Sequence, residues 1–453
     1  MTTLEFPSGF LWGCATSAHQ VEGNNVHSDW WAWEEAGRVK DRSGITCDQW
    51  HRYPQDFDLA ASLGQNAHRF SIEWSRIEPA EGVWDDEPLA HYVEVVKALR
   101  QRRLEPIVTL HHFTTPQWLT AQGGWTNPKV VEHFARFTQR VAKALGGQVH
   151  YWLTINEPMV FARMHYVQGI GPPGGKDFKQ ALVVIRHMIE AHAAAYQILH
   201  SAAKANGWTV LVSVAKNMPV FAPCKPWWPA DLGVAWLTDR LWNTAFLDAL
   251  TEGRWMVPGV GTWKFPQARQ TLDYLGINFY GRQFFRWQAG THGWPGESCD
   301  LGHHPRAVRE RTLMGWDVSP EAFAQTLLRA ASLQLPLLIT ENGAWTQDDA
   351  QRQRFIVRHI AAMRRAMDRG ARVVGYCYWS LLDNFEWADG YGPRFGITEV
   401  DFATQERRVR PSGHRYAEIC RTNQLVCSEE ELRPWVKSAA PIDQPRLAAT
   451  PTV

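Results

Sequence analysis

The chain has 453 residues, with 47 basic and 46 acidic side chains and a net charge of +1. That length holds two or three average domains, or one barrel with long loops. The balanced charge gives no electrostatic reason to expect nucleic acid or a membrane surface as partner, and no apolar stretch approaches the ~20 residues needed to span a bilayer.

The opening Met1-Thr2-Thr3-Leu4-Glu5-Phe6-Pro7 has no basic segment followed by an apolar core, so no signal peptide is expected. The seven cysteines, Cys14, Cys47, Cys224, Cys299, Cys377, Cys420 and Cys427, are odd in number and scattered. None forms a Cys-x-x-Cys pair, which speaks against a zinc ribbon or redox motif. Reduced thiols in a cytoplasmic enzyme are the expectation. Tryptophan is the compositional outlier, with 24 residues. Its flat apolar face and single N–H suit the C–H faces and hydroxyl edges of a sugar. Well over half of these indoles are nevertheless expected to pack core and loops.

In chain order, buried-strand signals fall at residues 10–16, 67–72, 106–111, 152–157, 210–215, 274–280, 337–341 and 373–379. Each is a short run rich in apolar or β-branched residues, the pattern of a strand covered on both faces. Between them, residues 128–145, 178–205, 321–333 and 349–370 place apolar side chains at three- and four-residue intervals, which predicts helices. Eight strands alternating with helices imply an α/β fold, a single (β/α)8 TIM barrel over residues 1–437. Residues 438–453 read as an Ala/Pro-rich flexible tail. Long insertions at 24–49, 218–238 and 282–316 are expected mainly on the face where strands end. Trp227, Trp228 and Trp236 fall in one of them and are expected to narrow the entrance.

Two of the strands share a grammar. Trp152-Leu153-Thr154-Ile155-Asn156-Glu157-Pro158 and Leu337-Leu338-Ile339-Thr340-Glu341-Asn342-Gly343 each run from apolar residues to a glutamate and then a break. Proline cannot continue a central strand, and Asn-Gly favours a tight turn. Each glutamate therefore stands at the rim where barrel ligands bind, and two carboxylates at one rim can hydrolyse a glycosidic bond. Other rim positions add polar groups. Asn156, Gln20 and His112 can bracket hydroxyls. The final strand delivers Trp379-Ser380-Leu381-Leu382-Asp383-Asn384-Phe385-Glu386-Trp387, two indoles and an acceptor carboxylate. Arg69 and Tyr280 near Glu341 would hold it ionised, as a nucleophile requires, whereas Glu157 must carry a proton first and lose it later. The adjacent His111 and His112 have no third spaced ligand, so no metal site is read there.

Together these residues resemble glycoside hydrolase family 1, the retaining β-glucosidase and β-galactosidase family, from about Phe6 to about Tyr416. Further matches are Phe10-Leu11-Trp12-Gly13-Cys14-Ala15-Thr16-Ser17, Arg69-Phe70-Ser71-Ile72, Gly276-Ile277-Asn278-Phe279-Tyr280 and Gly390-Tyr391-Gly392-Pro393-Arg394-Phe395-Gly396. The resemblance implies Glu157 as acid/base and Glu341 as nucleophile. It places Gln20, His112, Asn156, Asn278, Glu386 and Trp387 around the nonreducing sugar, with Trp379 as stacking floor and Trp316 as leaving-group platform. It implies a small β-glycoside or oligosaccharide as substrate and neither metal nor organic cofactor. Retention would require the carboxyl groups ~5–5.5 Å apart, against ~6.5–9.5 Å for inversion. Phe113 stands where many members have Trp, His111 where Tyr is common, and Arg410-Pro411-Ser412-Gly413 lacks a frequent lysine. A mainly transglycosylating enzyme and a non-catalytic sugar-binding relative are the alternatives. The intact glutamate pair disfavours the second.

Overall fold

The computed structural model describes residues 1–288, 293–294, 296–304 and 310–433. The expected tail at 438–453 lies outside the described residues. All eight predicted strands form: β1 Leu11–Ala15, β2 Ala67–Ser71, β3 Glu105–His111, β4 Tyr151–Asn156, β5 Leu211–Asn217, β6 Leu275–Asn278, β7 Leu337–Asn342 and β8 Val373–Trp379. They close into a barrel in sequence order, each parallel to its neighbours. The predicted helices appear at Val130–Leu145, Phe178–Asn206, Pro320–Ala331 and Asp349–Asp368. The fold is therefore the (β/α)8 barrel that the strand–helix alternation implies.

Alternation along the strands divides the core in two. Ala67, Ile107, Leu153, Leu338 and Cys377 pack together inside the barrel, while Phe70, Val108, Trp152, Ile339 and Tyr376 pack in the large outer core. Close approach of backbones forbids a side chain at Gly13, where a Cβ would lie 2.4 Å from the Ala67 carbonyl oxygen.

The regular pairing breaks just before Glu157 and around Glu341. The β4–β5 register shifts between Leu153 and Asn156, and the β7–β8 register shifts between Ile339 and Asn342. Such irregularities re-aim side chains next to functional sites. The expected tight turn at Asn342-Gly343 does not form. Asn342 remains in β7, donating its amide to the Phe279 carbonyl at 2.6 Å and accepting from Tyr376 at 2.8 Å. Gly343 is there for close packing, since a Cβ would lie 1.9 Å from the Trp379 carbonyl oxygen.

The cysteines also depart from expectation. Cys224 and Cys299 are joined as a disulfide, and five thiols are free. The bridge spans 75 residues and joins two loop strands that only the fold brings together. Cys377 is free, as expected, and is buried inside the barrel.

Candidate active site

A cavity of about 540 Å³ opens where the strands end. Glu157, Glu341, Gln20, His112, Asn156, Tyr280, Trp316, Trp379, Glu386 and Trp387 all line it. Of 24 tryptophans, four line this cavity, including Trp242; most others serve packing, as expected. Trp227, Trp228 and Trp236 do not line it. They stand 76%, 53% and 63% exposed at the helix Pro229–Asp239, so the expectation that they narrow the entrance fails.

Both oxygens of Glu341 are held. Arg69 Nη1 donates to Oε1 at 2.6 Å, and the Tyr280 hydroxyl donates to Oε2 at 2.7 Å. Arg69 is fully buried, fixed by Thr109 Oγ1 at 3.1 Å and by the Thr340 carbonyl at 3.1 Å. A guanidinium so oriented loses little more entropy when it binds a carboxylate. Burial, then the charge of Glu341, pushes the Tyr280 phenol well above its usual range, so it stays a donor.

Glu157 has a different environment. Asn278 donates to Oε1 at 2.9 Å, and the amide of Asn217, which lines the cavity, also favours its charged form. No arginine or lysine forms a salt bridge with it among the described residues. Burial, followed by the charge of Glu341, raises its pKa to about 8. The two carboxyl groups thus differ in their immediate partners: cation and phenol for one, neutral amides for the other.

A continuous network joins them. Arg69 Nη2 donates to Asn156 Oδ1 at 2.7 Å, and that oxygen also accepts from Asn278 at 3.1 Å. Asn156 pairs with His112 Nε2 at 3.1 Å. His112 is driven well below its usual range, first by burial and then by the Arg69 charge, so the neutral imidazole can accept from the Asn156 amide. His111 turns the other way, edge-on to Trp125 and Phe161 at 4.9 and 5.1 Å. The strand pleat therefore separates the paired histidines instead of presenting two metal ligands.

Gln20 donates to Glu386 Oε2 at 3.2 Å and to the Phe385 carbonyl at 2.9 Å, while Ser17 donates to its Oε1 at 2.7 Å. Burial, then Asp389 and Glu341, raises the Glu386 carboxyl to about 8. Trp379 and Trp387 both lie nearly parallel to the His112 ring, at 6.0 and 6.2 Å. Trp316 sits 5.3 Å from the Tyr280 ring.

Phe113, Glu157 and Trp387 line the cavity with left-handed backbones, φ 73°, 46° and 48°. Non-glycine residues there cost on the order of 1–3 kcal/mol, and such strain clusters at binding and catalytic sites.

Asn278 and Arg69 are fully buried and lie outside the cavity lining. Both reach the site through the two glutamates and Asn156. Sequence reading missed Asn217, Arg163 and Gln283, which do line it. Asn217 closes β5, so the strand-end rule would have found it had the strand been extended two residues past Ala215. Arg410 belongs to the segment Arg410-Pro411-Ser412-Gly413 that lacks a frequent lysine. It pairs with Asp383 at 2.7 and 3.1 Å and with the Gly396 carbonyl at 2.8 Å, bracing the turn beside β8.

A parallel eight-stranded barrel with two dissimilar buried carboxyls and indoles around one rim cavity defines a (β/α)8 glycoside hydrolase. The profile described as glycosyl hydrolase family 1 matches residues 2–425, and the chain belongs to that family. The structure resembles that of a β-glycosidase from Pyrococcus horikoshii, with TM-score 0.88, 38% identity, and coverage of 95% of this chain and 98% of that one. Among curated relatives, β-glucosidase A from Thermotoga maritima is 30% identical over 455 residues, covering 94% of this chain and 100% of the relative. A bifunctional β-D-glucosidase/β-D-fucosidase from Bifidobacterium breve is 32% identical over 457 residues, covering 90% and 97%. Among the described residues no helix is long and apolar enough to cross a membrane.

Proposed function

We propose that this enzyme is a retaining exo-β-glycosidase. It releases terminal nonreducing β-D-glucosyl residues, and also β-D-galactosyl or β-D-fucosyl residues, from β-glucosides and short oligosaccharides such as cellobiose. The observation that carries the reading is the contrast between Glu341, held by Arg69 and Tyr280, and Glu157, held by amides alone. The relatives named for glucosidase and fucosidase activity support the choice of glycone.

Glu341 attacks C1 while Glu157 protonates the departing oxygen, so its raised pKa keeps the acid loaded at neutral pH. In the ester that forms, Glu341 carries no charge. The second cause of the raised pKa is then gone, and Glu157 becomes a stronger acid whose carboxylate can take a proton from water. The same residue thus serves as acid and then as base. Asn156 holds the 2-hydroxyl, while Gln20, His112, Glu386 and Trp387 bind the other hydroxyls. Trp379 forms the floor and Trp316 flanks the leaving group. Asn278 positions Glu157.

The test is a panel of aryl β-glycosides run beside cellobiose and lactose, with the first-formed anomer read by proton NMR. The expected result is glucoside turnover with β-glucose appearing first. An α-anomer first would overturn retention, and no turnover of any β-glycoside would overturn the catalytic reading.

A further inference from the structure

Outside the cavity, the strands Val220–Pro223, Arg282–Arg286 and Glu297–Ser298 form a three-stranded sheet with Arg282–Arg286 in the middle. Cys224 follows the first of these and donates its N–H to the Phe285 carbonyl at 2.7 Å. Cys299 follows the third and donates to the Phe284 carbonyl at 2.8 Å. Both cysteines are therefore fastened to the same central strand. His304 lies flat on Phe284, with ring centroids 4.0 Å apart and planes 13° apart. This stacking directs Nε2 to 3.0 Å from Cys299 Sγ and 3.6 Å from Cys224 Sγ. The three donor atoms all lie within 4.8 Å of one another. Cys299 is buried, while Cys224 and His304 are half-buried, so the cluster can be reached from solvent.

We propose that in the reduced chain Cys224, Cys299 and His304 form a binding site for one thiophilic divalent ion of the zinc class, with water in the fourth position. Two sulfurs and an imidazole without a carboxylate are a donor set that selects zinc over magnesium or calcium. A disulfide clip alone gives no role to an imidazole nitrogen aimed at both sulfurs, whereas a third ligand does. The two states exclude each other. A dithiol reductant attacks one sulfur, forms a mixed disulfide and then closes on itself. This delivers two electrons, leaves two Cys thiols, and oxidises the reductant to its own disulfide. The ion then displaces one proton from each thiol. The backbone bonds to Phe284 and Phe285 can persist, because only the side chains must part until the sulfurs are about 3.8 Å apart, as tetrahedral bonds of ~2.3 Å require. The central strand also sends Arg282 and Gln283 to the cavity wall, so both states anchor that wall.

The experiment uses the full-length protein, reduced with a phosphine, which takes up oxygen from water as the disulfide becomes two thiols. After removal of the reductant under inert gas, the protein is titrated with Co²⁺ and then Zn²⁺. The expected result is one Co²⁺ per chain, a thiolate-to-cobalt charge-transfer band, and its loss on adding Zn²⁺. Cys224→Ser and Cys299→Ser should abolish the band, and His304→Ala should weaken binding at least tenfold. Retained turnover of an aryl β-glucoside by these variants shows that they are folded. Absence of the band in the reduced wild-type protein would overturn the proposal, as would a band unchanged in either serine variant.

Discussion

Asn278 donates one amide to both Glu157, at 2.9 Å, and Asn156, at 3.1 Å, while its own Oδ1 accepts from Thr340 at 2.6 Å. It is fully buried and bonded on both sides, which suits it to holding these groups in place. Because its bond to Glu157 favours the charged form, removing it raises the Glu157 pKa. Asn278→Ala should therefore move the basic limb of kcat/KM to higher pH and lower its maximum about 10- to 100-fold, the worth of one hydrogen bond to a charged group. A pH–rate profile on an aryl β-glucoside checks both. An unmoved limb would contradict the positioning role.

Tyr280→Phe removes the donor on Glu341 Oε2 and leaves Arg69 on Oε1. The aromatic ring keeps its packing on Trp316, so folding should be unaffected. By the same magnitude, kcat should fall about 10- to 100-fold. Steady-state kinetics with unchanged thermal unfolding would separate this from a structural effect.

The wild-type basic limb should lie near pH 8, where Glu157 loses its proton. Neutralising its neighbour should reverse part of the shift. In Glu341→Gln the Glu157 pKa should fall, since burial remains but the second-ranked cause is gone. An NMR titration of isotopically labelled glutamate carboxyls reads this directly, and a pKa that rises would contradict it.

The same shift has a stability sign. The Glu157 pKa goes from 4.5 in the unfolded reference to about 8 when buried. Across that window the folded state holds the extra proton, so stability is lost as pH rises from 4.5 towards 8. Glu157→Gln removes this loss. Its melting temperature should match the wild type near pH 4.5 and exceed it increasingly up to pH 8. Melting curves across this range that keep a constant offset would contradict the burial account.

Arg163 lines the cavity, its pKa lowered to about 10 by burial alone. No acidic partner pairs with it among the described residues, so a negatively charged aglycone would relieve an uncompensated charge. Arg163→Met should raise KM for a carboxyphenyl β-glucoside several-fold more than for the phenyl β-glucoside. Equal changes for the two substrates would remove Arg163 from the leaving-group wall.

The barrel was legible because parallel strands covered on both faces leave dense apolar runs, and the runs ending at Glu157 and Glu341 carried their polar residue at the end. The meeting of Arg69 and Tyr280 on Glu341 could be anticipated from a charged residue inside one buried strand and a phenol at the end of another. The partner of Asn278 could not, since the shift between Ile277 and Asn278 re-aims its side chain. Asn342-Gly343 misled because a close backbone contact and a tight turn select the same residue. Cys224, Cys299 and His304 were invisible for a different reason. Their proximity is set by the pairing of three loop strands, and no local spacing encodes it. The exposed tryptophans near the helix Pro229–Asp239 show the same limit, because composition reports an indole without its orientation.

Azide rescue most directly tests the assignment of different roles to two similar glutamates. With an activated aryl β-glucoside, Glu157→Gly still forms the ester on Glu341, and azide should then release the β-glucosyl azide. Glu341→Gly has no nucleophile, so azide entering its place should give the α-glucosyl azide by one inversion. The two variants should therefore give opposite anomers. The same anomer from both variants, or the two interchanged, would contradict that assignment.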